Sequence, residues 1–594
     1  MELPALRGGR APENGSSQER EFMKVGVCAA AVCWLGGAAA AQAPLYDFFT
    51  LTAGEQFGAA VAGAGDVDGD GFGDFAIGAE RAAGLAPDSG VVRIYSGQNA
   101  SLIRELKGEL TGDRFGHSIE SLGDLDGDGR PELLVGAPLH DAFLGVDRGA
   151  AYIFDGMTGV PVTKLYGNGA DNHFGWSVTA VPDVNFDGVK DFAVGAPRET
   201  VGGNTLTGTV RIYSGVTRTL YRLHNGVAQG DRFGTSIDGS ADINGDGRGD
   251  LVVGAPQADA AAIFDSGRAY RISGAPSGSA VLTTYSGSTT AGWLGHTVAA
   301  VPDTNGDGVW EVALGEPFVS IGGVSGSGRI RVFSGTNGAV LLTLTGALND
   351  TYGWVMSAMK DFDGDGRGDL LVGNPFAEYN SWTNVGLAHV YSGVTGAILT
   401  TMTGYEDGET FGDSIADAGD INNDGFNDII AGSANYSQYG LNAGRARTAL
   451  GNAEFPTNYC TGKQNSQGCT PYVGIGGCAS ATVGQLQIVG VNVLPNVSGL
   501  MIWSHTSAAT PFFGDTLCVG GPIRRTPVQT SFDNVGSVLP CDGVYSYYFS
   551  HAQMSAEGFT PGTELFAQYW GRDPGYLPPI NFTLTNGVRI PILP

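Results

Sequence analysis

Short apolar runs recur along most of the chain, and they come in two kinds. Val91-Val92-Arg93-Ile94-Tyr95 and Val210-Arg211-Ile212-Tyr213 alternate and end in aromatic-Ser-Gly, as strands with one covered face do. A second kind is apolar throughout and closes on Gly-Ala-Pro, at Gly136-Ala137-Pro138, Gly195-Ala196-Pro197 and Gly254-Ala255-Pro256. Looser versions close on Gly315-Glu316-Pro317 and Gly373-Asn374-Pro375. A hairpin turn then leads to a further strand, such as residues 102–106. No segment carries a helical period. The pattern predicts short strands joined by Gly-rich turns, four to a unit, which is the make-up of a propeller blade. With 96 Gly and 15% charged residues the composition agrees, because Gly supplies tight turns and weakens helices.

The units repeat. A nine-residue pattern, Asp-x-Asp/Asn-x-Asp-Gly-x-x-Asp/Glu, starts at Asp66, Asp124, Asp183, Asp242, Asp303, Asp361 and Asp420. The intervals are 58, 59, 59, 61, 58 and 59 residues, so one structural unit occurs seven times. About eight residues before each loop stands an aromatic-Gly pair: Phe57-Gly58, Phe115-Gly116, Phe174-Gly175, Phe233-Gly234, Tyr352-Gly353 and Phe411-Gly412, with Leu294-Gly295 in the fifth unit. The seventh unit lacks a fourth strand, and the first has a spare one in front at residues 45–49. Pairing of that strand with residues 445–450 is expected to close the ring and leave only short, protected edges.

Aromatic-Gly, acidic loop and Gly-Ala-Pro, recurring together and in order, resemble the FG-GAP repeats of the integrin α-subunit propeller. The resemblance covers residues 45–451. It implies a seven-bladed propeller whose acidic loops join the first and second strands of each blade, with ligands taken on the opposite face.

The acidic loops suit calcium, a hard cation that takes six to eight oxygens. Positions 1, 3, 5 and 9 offer side chains, position 7 a backbone carbonyl, and Gly at position 6 allows the tight turn. The expected ligands are Asp66, Asp68, Asp70, Phe72 and Asp74; Asp124, Asp126, Asp128, Arg130 and Glu132; Asp183, Asn185, Asp187, Val189 and Asp191; and Asp242, Asn244, Asp246, Arg248 and Asp250. The last three loops offer Asp303, Asn305, Asp307, Val309 and Glu311; Asp361, Asp363, Asp365, Arg367 and Asp369; and Asp420, Asn422, Asp424, Phe426 and Asp428. An EF-hand would need Glu at position 12 and flanking helices, and has neither here. About seven structural Ca2+ ions are expected. Seven divalent ions would halve the formal net charge of −28. That charge argues against nucleic acid or an anionic membrane as partner.

The loops after Gly-Ala-Pro carry aromatics beside polar groups: His140, Phe143, Tyr379, Trp382, Tyr436 and Tyr439. They are the expected contacts for an extracellular protein or carbohydrate. The alternative is that they pack their loops onto the rim. An integrin β-type partner has no support in the sequence. No His-Glu-x-x-His or Cys-x-x-Cys motif is present. Gly116-His117-Ser118 and Gly412-Asp413-Ser414 sit at a repeat position and read as structural rather than as nucleophile turns.

Met23-Lys24 followed by the apolar run 25–41 reads as an export signal, with cleavage after Ala41 and translation starting at Met23. It is too short and Gly-broken for a membrane span, and no other stretch approaches one. Five cysteines, Cys460, Cys469, Cys478, Cys518 and Cys541, then remain, all beyond the repeats. Two disulfides are expected there, with Cys460–Cys469 a local candidate and the other pairings open.

The expected division is residues 1–41 as extension and signal, 44–451 as the all-β seven-bladed propeller, and 457–594 as a small β-sandwich-like domain. Residues around Cys460, Cys518, Arg524 and Trp570 resemble a C-terminal domain of exported bacterial repeat proteins. Arg524-Arg525 and Arg572-Asp573 read as structural ion pairs. The function expected first is a secreted calcium-binding adhesion or ligand-binding module. Two other readings stand beside it: an exported hydrolase or lyase on polysaccharide, and a structural surface protein docked by its tail.

Overall fold

A computed structural model describes residues 46–451 and 457–591 apart from short stretches, namely 142–144, 240, 276–280, 364, 380–381, 424–425, 439 and 450 in the repeats and 460–464, 468–471, 477–485, 513–514, 532–542, 561–562, 576–581 and 586 beyond them. The expected signal and its flanks lie outside these residues. So do Cys460, Cys469, Cys478 and Cys541. No described helix is long and apolar enough to cross a membrane.

The repeats fold as seven four-stranded antiparallel sheets, one per unit. In the first blade the order from the axis outward is Phe57–Gly65, Asp74–Ala79, Val91–Tyr95 and Leu102–Lys107. The seventh is Ser414–Gly419, Asp428–Ser433, Arg445–Ala449 and, outermost, Tyr46–Phe49 from the other end of the repeats. The expected closure is therefore formed, with Tyr46 opposite Thr448 and Phe49 opposite Arg445. Arg445 and Asp47 meet as a buried bidentate pair across that join, one contact being 2.7 Å. The Tyr46 hydroxyl donates to the Gly97 carbonyl at 2.9 Å, tying the closing strand to the first blade.

The two glycine signatures have one cause. A Cβ on Gly136 would stand 2.0 Å from the Gly175 carbonyl oxygen, and one on Gly432 would stand 2.1 Å from that of Gly58. The Gly of each Gly-Ala-Pro thus touches the Gly of the next blade's aromatic-Gly pair, which itself holds positive φ (86° at Gly58). Ser118 and Ser177 donate to the same carbonyls of the following blade at 3.0 and 2.9 Å, and Ser414 donates to Gly58 at 2.6 Å. The turns at Ser118 and Ser414, read as structural from their repeat position, are blade-to-blade fasteners. Apolar cores fill the gaps between neighbours, including the gap between last and first blades, where Ile421 and Ile430 pack with Phe57 and Phe75.

Beyond the ring, a seven-stranded and a three-stranded sheet share one core. Met501, Trp503 and Tyr569 come from the first, and Ile488, Tyr545 and Phe549 from the second. The three-stranded sheet includes the long strands Leu486–Val493 and Gly543–Phe549. A short helix, His551–Ala556, was not expected, although Ser550 and Gln553 form a capping box that the sequence spells out. Cys518 is buried and disulfide-bonded. Arg524 pairs with Glu557. Asp573 does not rely on Arg572: it is buried and accepts from the Ser466 backbone N–H at 2.7 Å, the Ser466 hydroxyl at 2.6 Å and Gly575 at 3.0 Å.

Candidate metal centres and the opposite face

Each acidic loop joins the innermost strand of its blade to the second, so all seven lie at one end of the ring. The loop is shaped by its own carboxylates. Asp66 accepts from the N–H groups of Gly69 at 2.6 Å, Asp70 at 3.0 Å and Gly71 at 3.0 Å. Asp68 then accepts from Asp70 at 3.1 Å, and Asp70 from Phe72 at 2.9 Å. Gly71 sits at φ 90°, and the five described equivalents of this sixth position are also positive. Position 4 is left-handed too. Gly serves there in most loops, but Phe186 and Asn423 hold φ of 63° and 58°.

Carboxylate oxygens converge within 4.8 Å in four described loops. Asp66, Asp68 and Asp70 form one group, and Asp124, Asp126 and Asp128 a second. Asp361, Asp363 and Asp365 form a third; in the fifth loop Asp303 and Asp307 meet Glu311 instead. In the third and fourth loops Asn185 and Asn244 replace one acid. Asp424 lies outside the described residues, while Asp420, Asn422, Phe426 and Asp428 take the same places in the seventh loop. The donor set is all oxygen, clustered and partly exposed, which is the chemistry a hard divalent cation requires.

Position 9 does more than the sequence suggested. Asp74, Glu132, Asp191, Asp250, Glu311, Asp369 and Asp428 are all buried at the start of the second strand. Asp74 accepts from the Val67 N–H at 2.7 Å and from the Gly97 N–H at 3.0 Å. The same double tie recurs at Asp191, Asp250, Asp369 and Asp428, each reaching position 2 of its loop and a Gly 23 or 24 residues on. The carboxylate therefore fastens the loop to the end of the third strand. Burial pushes Asp74, Glu132, Asp250 and Glu311 up to about 7 and Asp369 up to about 6, since nothing cationic offsets the lost hydration.

At position 7 the sequence assigned a role to the backbone carbonyl alone. The three arginines there are engaged. Arg130 donates to the Val67 carbonyl of the preceding loop at 2.6 Å, Arg248 to the Val184 carbonyl, and Arg367 pairs with Asp303 at 3.0 Å. Arginine at this place only in the second, fourth and sixth units was the signal in the sequence.

At the other end of the ring the six proposed ligand contacts separate. His140 is 3% exposed and bound to Asp113 at 2.9 Å, and Tyr436 is 2% exposed beneath the Arg445 guanidinium. Both hold their loops onto the ring, out of reach of a partner. Tyr379 and Trp382 are 42% and 38% exposed on a tight hairpin closed by their own backbone bonds, at 3.1 and 2.9 Å. Phe143 and Tyr439 lie outside the described residues.

Fold and loops together define a seven-bladed propeller, and the chain carries FG-GAP repeats. The family model for the FG-GAP repeat matches residues 115–154, 174–213, 233–273 and 352–391, within the second, third, fourth and sixth blades. The chain is similar to integrin alpha-V of Gallus gallus, 32% identical over 234 residues, which is 36% of this chain and 21% of that one. It is also similar to integrin alpha-IIb of Homo sapiens, 34% identical over 177 residues, 27% of this chain and 17% of the relative. Integrin alpha-PS2 of Drosophila melanogaster is 34% identical over 225 residues, 34% and 15% of the two chains. The chain thus spans about a fifth or less of the length of these relatives.

Proposed function

We propose that this chain is an extracellular binding protein whose propeller is held by calcium in its acidic loops and takes its partner on the opposite face. The observation that carries the reading is the convergence of three carboxylates within 4.8 Å in loop after loop of one ring end. Asp66, Asp68 and Asp70, with the Phe72 carbonyl and Asp74, would hold one ion, and the equivalent residues the others. The ion would supply positive charge to a cluster that otherwise repels itself. Export through the N-terminal segment and disulfides among the tail cysteines belong to the same reading, and the likeness to integrin α chains supports it. Partner binding is assigned to Tyr379 and Trp382, exposed aromatics paired by backbone hydrogen bonds. The test is calorimetric calcium titration of the chain from residue 42 onward, followed by glycan and protein arrays with Tyr379→Ala/Trp382→Ala. We expect several calcium ions per chain and an unchanged melting temperature with weakened capture in the double variant. Fewer than four bound ions, or unfolding of the double variant, would sink the respective half of the proposal.

A further inference from the structure

The third strand of most blades ends on an aromatic side chain turned toward the preceding blade. Phe154 packs there with Ile94 and Leu106 of the first blade, Tyr213 with Ile153 and Leu165 of the second, and Phe333 with Val252 and Tyr285 of the fourth. Tyr95 and Tyr391 hold the same place in the first and sixth blades. These rings pack closely: Tyr213 stacks on Phe192 with centroids 5.4 Å apart, and Phe333 lies 4.8 Å from Tyr285. The seventh blade has Ala449 instead, and there the Arg447 guanidinium lies over the Tyr405 and Phe411 rings, at 4.3 and 3.8 Å.

The fourth blade has neither the ring nor that arginine. Ile272 stands opposite Leu251 as Tyr213 stands opposite Phe192. A cavity of about 260 Å3 opens between the third and fourth blades, lined by Phe233, Tyr270, Ile272 and His224. An apolar cavity of about 150 Å3 already admits benzene, so this one has room for a substituted ring. Phe233 and Tyr270 are buried and meet edge to face at 5.5 Å, while Leu223 and Val281, exposed on the outermost strands of the two blades, stand at the mouth. A second change falls in the same gap. His224 takes the place held in other fourth strands by Leu106, Leu165, Tyr285, Leu344 and Met402. It is 7% exposed, and its Nε2 is buried without a hydrogen-bond partner among the described residues. Burial, with the Arg222 charge adding to it, holds the imidazole down at about 4, so it is neutral at physiological pH. A neutral imidazole nitrogen donates or accepts according to its tautomer, and a hydroxyl satisfies either. Leaving such an atom buried and unpaired is unfavourable, and an incoming hydroxyl removes the deficit.

We propose that the cavity between the third and fourth blades is a binding site for a small phenol. The ring would take the place that Tyr213 and Tyr391 fill in other gaps, against Phe233 and Tyr270, and the hydroxyl would pair with His224 Nε2. Leu223, Ile272 and Val281 would cover the ring edge. The site lies on the flank of the propeller, apart from the acidic loops and from the hairpin at Tyr379, and does not depend on the partner-binding reading.

The experiment uses the chain from residue 42 onward in calcium, with p-cresol as probe and toluene and 4-methylcyclohexanol as controls. Toluene keeps the ring and loses the hydroxyl; 4-methylcyclohexanol keeps the hydroxyl and loses the flat ring. Binding is read by ligand-observed NMR and by the rise in melting temperature. p-Cresol is expected to bind at about millimolar concentration or below, and both controls at least about tenfold more weakly. Ile272→Tyr restores the side chain found in the third blade; it should fill the cavity and abolish p-cresol binding without lowering the melting temperature. His224→Leu, the residue of the first, second and fifth blades, should bring p-cresol and toluene to equal affinity, and it carries the test if Ile272→Tyr fails to fold. N-acetyl-L-tyrosine methylamide offers the same ring on a peptide; tighter binding than that of p-cresol would give the site to a protein side chain and overturn the assignment to a free phenol. No binding of p-cresol, equal binding of toluene by the unaltered chain, or undiminished binding by both variants overturns the proposal.

Discussion

The ring contains two kinds of acidic loop, and they differ at one atom. In the first, second and sixth loops position 3 is Asp; in the third, fourth, fifth and seventh it is Asn. Both residues accept the N–H of position 5, as Asp68 does at 3.1 Å and Asn244 at 2.8 Å. The difference lies on the other side. Asn185, Asn244 and Asn305 donate through Nδ2 to the buried position-9 carboxylate, at 3.3, 3.1 and 2.7 Å. Asp68 and Asp363 have no such proton, and their charge instead raises the neighbouring Asp74 and Asp369, after burial itself. An Asn loop carries an internal donor toward position 9 that an Asp loop lacks. Under the calcium reading, the Asp loops are the ones an ion would complete.

The largest test of that contrast is removal of calcium. An ion present at 100 times its Kd and bound only by the folded ring contributes about 2.7 kcal/mol, so even the three Asp loops together supply about 8 kcal/mol. Chelation should lower the melting temperature by roughly 10 °C or more in calorimetry. Hydrogen exchange should show opening of the first, second and sixth loops ahead of the third, fourth and fifth. Uniform protection after chelation would erase the distinction between the two kinds of loop.

Position 9 is common to both kinds, so its loss should not discriminate. Asp250→Ala strips the acceptor from Ile243, Asn244 and Gly274, and Asp74→Ala strips it from Val67 and Gly97. Each variant is expected to cost about 3 kcal/mol with or without calcium, the sum of two or three buried donors left unpaired. Denaturant melts measure this. A cost that vanishes on chelation would reduce position 9 to a metal ligand and nothing else.

These residues also mark how far the sequence could be read. The seven loops were legible because positions 1, 3, 5, 6 and 9 recur at fixed spacing, and closure was legible because the seventh unit lacks a strand that the first has in excess. The partner of Asp74 was not, since Gly97 lies 23 residues on and meets it only after the chain has made two strands. His140 and Tyr436 look like their exposed counterparts in sequence, because a loop aromatic above the rim and one beneath it share the same polar neighbours. Asn at position 3 read only as a metal ligand. Its second hydrogen bond became visible once strand and loop were placed together.

The pH response should take opposite signs in the two metal states. For Asp74, Glu132, Asp250 and Glu311 the folded value of about 7 lies above the unfolded one. Their contribution is therefore fully present below about pH 4 and is lost as pH rises through 7. His224, His296 and His389 are held down at about 4, so theirs is present above about pH 6.5 and lost as pH falls toward 4. The chelated chain should gain a few degrees between pH 8 and 6.5, and the three histidines should then offset most of the further gain until about pH 4.5. The calcium-loaded chain should only lose stability on acidification, because protons displace the ion. Parallel pH profiles in the two states would contradict the buried, cation-free carboxylates described above.

The smallest effect isolates the single atom. Asp68→Asn gives the first loop a donor toward Asp74 and removes one negative charge. Asn244→Asp takes the donor away from Asp250 in the fourth loop and adds a charge beside it. In chelator the first exchange should stabilise and the second destabilise, each by about 1 kcal/mol, the net worth of one hydrogen bond in a partly exposed site. In calcium the order should reverse, because ligand charge sets affinity: Asn244→Asp should tighten its loop and Asp68→Asn should loosen its own. Paired melts with and without chelator, together with calorimetric titration, read both signs. If the two exchanges shift stability in the same direction, the donor is not what separates the loops, and net charge alone must account for the difference.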